Sequence, residues 1–119
     1  MSTRDDGLAA EALAAAHLES LGWRVLARNW RGRRGELDIV AEEGPVVVFV
    51  EVKARASSAY GLPEEAVDAR KQARVARTAQ EFLSVSGLGE RPARFDVAAV
   101  EAGRVRLIRA AFEAPGWAP

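Results

Sequence analysis

The chain has 119 residues, 49% of them hydrophobic and 29% charged, the composition of one soluble globular domain and not of a disordered segment. Seventeen Lys+Arg against seventeen Asp+Glu leave a formal net charge of zero, which excludes a polybasic protein that holds nucleic acid by bulk charge. Cysteine is absent and His17 is the single histidine, so disulfides, thiol chemistry, Cys-ligated zinc and multi-imidazole metal sites are excluded.

Residues 5–21 read as a helix: Thr3 or Asp5 can cap it, Asp5 and Asp6 suit the positive end of its dipole, and Gly22 ends it. Trp23 to Trp30 is a strand rich in aromatic and branched residues, followed by an arginine-rich turn (Arg31, Arg33, Arg34) bracketed by Gly32 and Gly35. Two strand-like runs, Glu36 to Glu42 and Val46 to Arg55, are joined by Glu43-Gly44-Pro45, and Pro45 argues against a tight two-residue turn. Residues 54–63 form a loop. Glu64 to Ser86 is a long helix with acids in its first turn, stopped by Gly87-Leu88-Gly89, and Ala69, Ala73, Ala76, Ala79, Phe82 and Leu83 are its core side. Ala93 to Val100 and Val105 to Ala110 make a second strand pair across Glu101-Ala102-Gly103, before an irregular tail at 113–119. The order α-β-β-β-α-β-β predicts a single α/β domain over 1–112, a small mixed sheet flanked by helices. No apolar run approaches ~20 residues and the start is not a secretory signal, so the expectation is a cytoplasmic protein away from membranes.

The chemistry gathers in the central hairpin. In Val46 to Ala54 a buried-type strand carries two charges two residues apart, so alternation puts Glu51 and Lys53 on one face and Val48, Val50, Val52 and Ala54 on the other. On the partner strand Leu37, Ile39 and Ala41 face one way, and Glu36 and Asp38 the other. A hairpin symmetric about Gly44-Pro45 sets Asp38 opposite Glu51 and Glu36 opposite Lys53, with opposed Cβ atoms about 4.5–5.5 Å apart. Two carboxylates that close repel each other, and a hard cation such as Mg²⁺, held by one or two carboxylates with waters and phosphate, relieves the conflict. Lys53 then orients or activates the attacking water. Glu11 lies on the helix stripe of Leu8, Ala15 and Leu18, where an apolar residue is expected, so it is either on the solvated rim or recruited into the site.

These residues resemble the PD-(D/E)xK nuclease superfamily with its restriction-endonuclease-like three-layer fold. They are closer still to the YraN family of small bacterial proteins, related to archaeal Holliday-junction resolvases. The stretches that carry the likeness are Arg28-Asn29-Trp30-Arg31, Gly35 to Val40, Val48 to Arg55, Gly61 to Val67, Lys71-Gln72 and Arg94 to Val97. The resemblance implies a Mg²⁺ or Mn²⁺ site at Asp38 and Glu51 with Val52 as a further metal-binding position, a catalytic role for Lys53 and a supporting acid in Glu11. The superfamily's proline two residues before the motif aspartate is absent; Glu36 stands there. A chain that uses arginine fifteen times keeps lysine at position 53, where a compact ammonium suits the task better than a planar fork.

The expected partner is nucleic acid, DNA in particular, held through its phosphates by Arg28, Arg31, Arg33, Arg34, Lys71, Gln72 and Arg74; the competing reading of these cations is an ordinary solvated face. Glu36 is expected to pair with Lys53 or an arginine, Trp30 to belong to the core, and Tyr60 to stand near substrate at most weakly. Two functions follow from different classes: a divalent-metal-dependent endonuclease acting on branched or structured DNA, or a non-catalytic nucleic-acid-binding module serving a repair or recombination partner. Paired cuts on two strands call for a homodimer, since one domain of this size holds one active site.

Overall fold

The computed structural model describes residues 3–55 and 67–113. They form α1 (Thr3–Ser20), β1 (Arg24–Arg31), β2 (Glu36–Glu43), β3 (Val46–Arg55), α2 (Ala69–Ser86), β4 (Ala93–Glu101) and β5 (Arg104–Phe112), which is the α/β order read from the sequence. The five strands lie in chain order across one sheet, antiparallel except for the central pair β3 and β4, which run parallel. A parallel pair needs a crossover, and α2 lies within it. No helix among the described residues is long and apolar enough to cross a membrane.

Each helix covers one face of the sheet. The alanine-rich side of α1 (Ala10, Ala14, Ala15) and Leu18 are buried on Ile39, Ala41, Val48, Val50, Ala98 and Val100; small side chains let the helix approach the strands closely. On the other face Val75, Ala76, Ala79, Phe82 and Leu83 of α2 pack on Leu37, Val40, Val47, Phe49 and Phe95. Aromatic rings tie this second core together: Phe82 meets Trp30 and Phe49 edge-on at 5.3 and 6.1 Å, and Phe49 stacks on Phe95 at 5.5 Å. Trp30 is therefore a core aromatic, as expected.

Local chemistry sets the boundaries. Asp68 caps α2 by accepting from the Lys71 amide at 2.9 Å, and Gly87 closes it at φ 70°. The helix thus starts later than the expected Glu64, and Glu64, Glu65 and the loop with Tyr60 lie outside the described residues, as does the tail from 114. Ala69 is exposed and not core, because it sits at the very start of the helix, before the face that meets the sheet. The β2–β3 turn has only Gly44 and Pro45 between the paired Glu43 and Val46, contrary to the expectation from Pro45. Gly44 at φ 56° makes this possible, and the Arg91 guanidinium clasps the turn through Pro45 O, Gly44 O and Glu42 Oε2 at 2.8–2.9 Å. The β4–β5 hairpin closes through Ala102 and Gly103, both at positive φ, the pattern that a right-twisted two-residue turn requires.

Candidate functional site

The symmetric register holds along the β2–β3 hairpin as far as Ile39 opposite Val50. One residue further the strands part, and Asp38 stands beyond the ladder with its Oδ2 accepting the Val52 amide at 2.8 Å. Alternation breaks at this residue. Leu37 belongs to the α2 core and Ile39 to the α1 core, so the expectation that Leu37, Ile39 and Ala41 share a face is corrected. The break is matched across the ladder in β1, where Asn29, between the paired residues Arg28–Ile39 and Trp30–Leu37, adopts φ 53°. Asparagine tolerates this left-handed conformation better than most side chains. The flip sends Arg28 to the α1 side and Trp30 to the α2 side.

Asp38 consequently stands where two open cavities meet. One, of about 430 Å³, lies on the α1 side and is lined in part by Glu11, Asn29, Arg31, Glu36 and Val52. The other, of about 380 Å³, lies on the α2 side and is lined in part by Arg34, Glu51, Lys71 and Arg74. Strand alternation in β3 delivers Glu51 to the second cavity, where it is 4% exposed. Lys71, from the first turn of α2, brings its Nζ to 3.7 Å from Glu51 Oε1.

Burial and repulsion by Asp38 push the Glu51 carboxyl up to about 7, against the pull of Lys71, Lys53 and the Asp38 backbone amide. Burial also raises Asp38, opposed by the Val52 amide and the two lysines. Lys53 is lowered by its own burial and by the neighbouring Lys71 ammonium, while Glu51 and Asp38 pull it back up. The site is therefore a carboxylate pair that resists full ionisation, matched against two ammonium groups.

Glu11 is buried, 5% exposed, and not solvated. Its Oε1 accepts from Asn29 Nδ2 at 2.7 Å and Arg28 Nε at 3.2 Å, and burial raises its pKa despite these partners. Glu11 thus reaches the edge of the site already engaged. Among the described residues no three acidic or imidazole side chains converge to hold a metal, so the expected three-acid set reduces to the pair Asp38 and Glu51. Two hard oxygen donors whose joint ionisation is disfavoured still fit a divalent cation of the Mg²⁺ type, which takes one or two carboxylates and fills its remaining positions with water and phosphate.

The expected nucleic-acid contacts divide into groups. Arg34, Lys71 and Arg74 line the α2-side cavity, and Arg31 lines the other while pairing with Glu36 at 3.4 Å, which answers the expected partner of Glu36. Arg33 anchors the turn, its amide donating to Glu81 Oε1 at 2.9 Å. Gln72 turns its amide to Val67 O at 2.9 Å and braces the start of α2. Sequence reasoning left out Asn29 as a site residue, whose signal was an asparagine inside a strand pattern, and did not foresee that Lys71 pairs with Glu51.

Residues 10–100 match the family described as Uncharacterised protein family UPF0102. The chain is similar to a UPF0102 protein of Lachnoclostridium phytofermentans, 46% identical over 117 residues that cover 98% of this chain and 99% of that one. It is 49% identical over 117 residues to a UPF0102 protein of Symbiobacterium thermophilum (94% and 99% covered) and 44% over 120 residues to one of Pseudomonas aeruginosa (95% and 96% covered).

Proposed function

We propose that this chain, which belongs to the uncharacterised protein family UPF0102, is a divalent-metal-dependent endonuclease of the PD-(D/E)xK type that hydrolyses phosphodiester bonds in branched or otherwise structured DNA. The observation that carries the reading is the half-buried Asp38 beside the buried Glu51, with Lys53 and Lys71 against them, next to a cavity walled by Arg34 and Arg74. Asp38 and Glu51, with Val52 between Glu51 and Lys53, would hold Mg²⁺ or Mn²⁺. When bound, the cation supplies charge stabilisation at the phosphate and a more acidic water.

The chain's own groups do the rest. The Val52 amide fixes one oxygen of Asp38, so that carboxylate is oriented before any ligand arrives. Lys53, half-buried beside the pair, balances charge that builds on the phosphate and holds the attacking water. Arg34 and Arg74 receive the flanking phosphates, and Arg28 with Asn29 keeps Glu11 at the margin of the acidic centre.

The test is incubation of the purified protein with Mg²⁺ or Mn²⁺ and a panel of linear, flapped and four-way DNA. The expected result is metal-dependent cutting that falls by about 100-fold or more in Asp38→Ala and Lys53→Ala. No cutting by the wild type, or equal cutting by those variants, overturns the reading. One observation favours the second reading, a binding module without turnover: the third acid, Glu11, is engaged by Arg28 and Asn29. Salt-sensitive DNA binding without cutting selects that module.

A further inference from the structure

The chain has two lysines among seventeen basic residues, and both stand at the same carboxylate pair. Lys53 comes with β3, next but one to Glu51. Lys71 comes from a separate element, and its position is fixed from the backbone: its amide is held by Asp68 Oδ1 at 2.9 Å, and Gln72 ties the same turn to Val67 O at 2.9 Å. From that fixed turn the side chain reaches toward the carboxylate. It ends 3.7 Å from Glu51 Oε1, beyond the 2.7–2.9 Å of a tight charge-assisted hydrogen bond. The Glu51 side chain is 5% exposed and that of Lys71 29%, so the carboxylate is fixed inside while its cation keeps a way out. That way out is the cavity of about 380 Å³ walled by Arg34 and Arg74.

We propose that Lys71 is the resident counter-ion of the acidic pair: its ammonium neutralises Glu51 until a divalent cation binds, then swings into the cavity and takes a phosphate beside Arg34 and Arg74. The phosphate step rests on the nuclease reading; the displacement step does not. A flexible ammonium suits this exchange, whereas a guanidinium would lock bidentately onto the carboxylate and remain there. Because Lys71 opposes the cation at Glu51 and attracts the phosphate in the cavity, metal and DNA bind cooperatively. By reciprocity, each tightens the other by the same factor.

The test is calorimetric titration of DNA-free protein with Mn²⁺ alone. Lys71→Met removes the competitor, and Mn²⁺ affinity is expected to rise about fivefold, the value of one loose, part-buried ion pair. Lys71→Gln, which keeps a polar side chain at the same place, should do the same if the methionine variant fails to fold. Arg74→Met takes a cation off the same wall, and its Mn²⁺ affinity should change less than about twofold. Unchanged or weaker Mn²⁺ binding in both Lys71 variants overturns the proposal, as does an equal gain in Arg74→Met. If Mn²⁺ binding tightens while wild type cuts no DNA, the counter-ion stands and the nuclease reading falls. If DNA is cut and Mn²⁺ binding does not tighten, the reverse holds.

Discussion

The acidity of a single carboxyl couples metal binding to stability. Glu51 holds its proton up to about pH 7 in the folded chain and releases it near 4.5 once unfolded. The folded state therefore binds the extra proton between those values, and stability falls as pH rises from about 4.5 to about 7, then levels off. At about 1.4 kcal/mol per unit, the loss reaches about 3 kcal/mol as an upper bound. Thermal melts of the metal-free protein should show this decline, and Glu51→Gln should flatten it and melt higher than wild type at pH 8. Adding Mn²⁺ should raise the wild-type melting temperature more at pH 8 than at pH 5.5, because the ligands must first lose their protons. At this scale the sequence was informative about Glu51 and Lys53, since charges inside an apolar strand are anomalies that alternation places; Asp38 stood out in the same way, but alternation fails at its position. It was poorly informative about Glu11 and Lys71. A helix stripe shows which way a side chain points, but not that Arg28 and Asn29 intercept Glu11 or that the crossover brings Lys71 to Glu51.

Among the elements, the arginine-rich turn and the start of β4 hold the sheet's unusual points. Gly32 bonds to Gly35 O at 2.8 Å, and a Cβ at position 32 would meet Glu81 Oε1 at 2.6 Å and the Trp30 ring at 2.9 Å. Gly32→Ala must push away the carboxylate that holds the Arg33 amide, so a loss of about 1–2 kcal/mol in urea unfolding is expected. Asp96, fully buried, accepts Arg94 at 2.8 and 3.0 Å and the Ala110 amide at 2.9 Å across the β4–β5 bulge. Asp96→Ala leaves that amide and part of the Arg94 guanidinium unpaired, and should cost about 3 kcal/mol in the same measurement. The element order, the β2–β3 and β4–β5 hairpins and the β2–β3 register as far as Ile39 opposite Val50 were legible because apolar runs and turn residues are local signals, whereas the parallel β3–β4 pair joins strands far apart in the chain. The face flip at Asn29 and Asp38 was not legible, since it rests on local backbone irregularity that no side-chain pattern announces. The start of α2 was misplaced because two acids resemble a first turn, and Asp68 makes the cap instead.

Over the whole molecule, zero net charge hides a separation of sign. The acids of the site lie in the middle of the sheet, whereas β1 (Arg24, Arg28, Arg31) and β5 (Arg104, Arg106, Arg109) contain no acidic residue at all. If Arg34 and Arg74 meet phosphates, Arg34→Gln and Arg74→Gln should each flatten the log–log salt dependence of duplex binding by about 0.9. Anisotropy without divalent cation measures this on uncut DNA, and unchanged slopes would remove both residues from the interface. The same distribution governs how copies of the chain can meet. An open sheet ordinarily invites another sheet at its margins, and here the two edge strands carry six arginines, of which Arg24, Arg28, Arg31 and Arg109 are paired with Glu42, Glu11, Glu36 and Glu43. Lengthening the sheet from copy to copy at β5 would set the exposed Arg104 and Arg106 of one copy against those of the other, like charge against like charge. A polyanion would reverse that repulsion, so on the nuclease reading proposed above the phosphates of a nucleic acid are suited to the same strand.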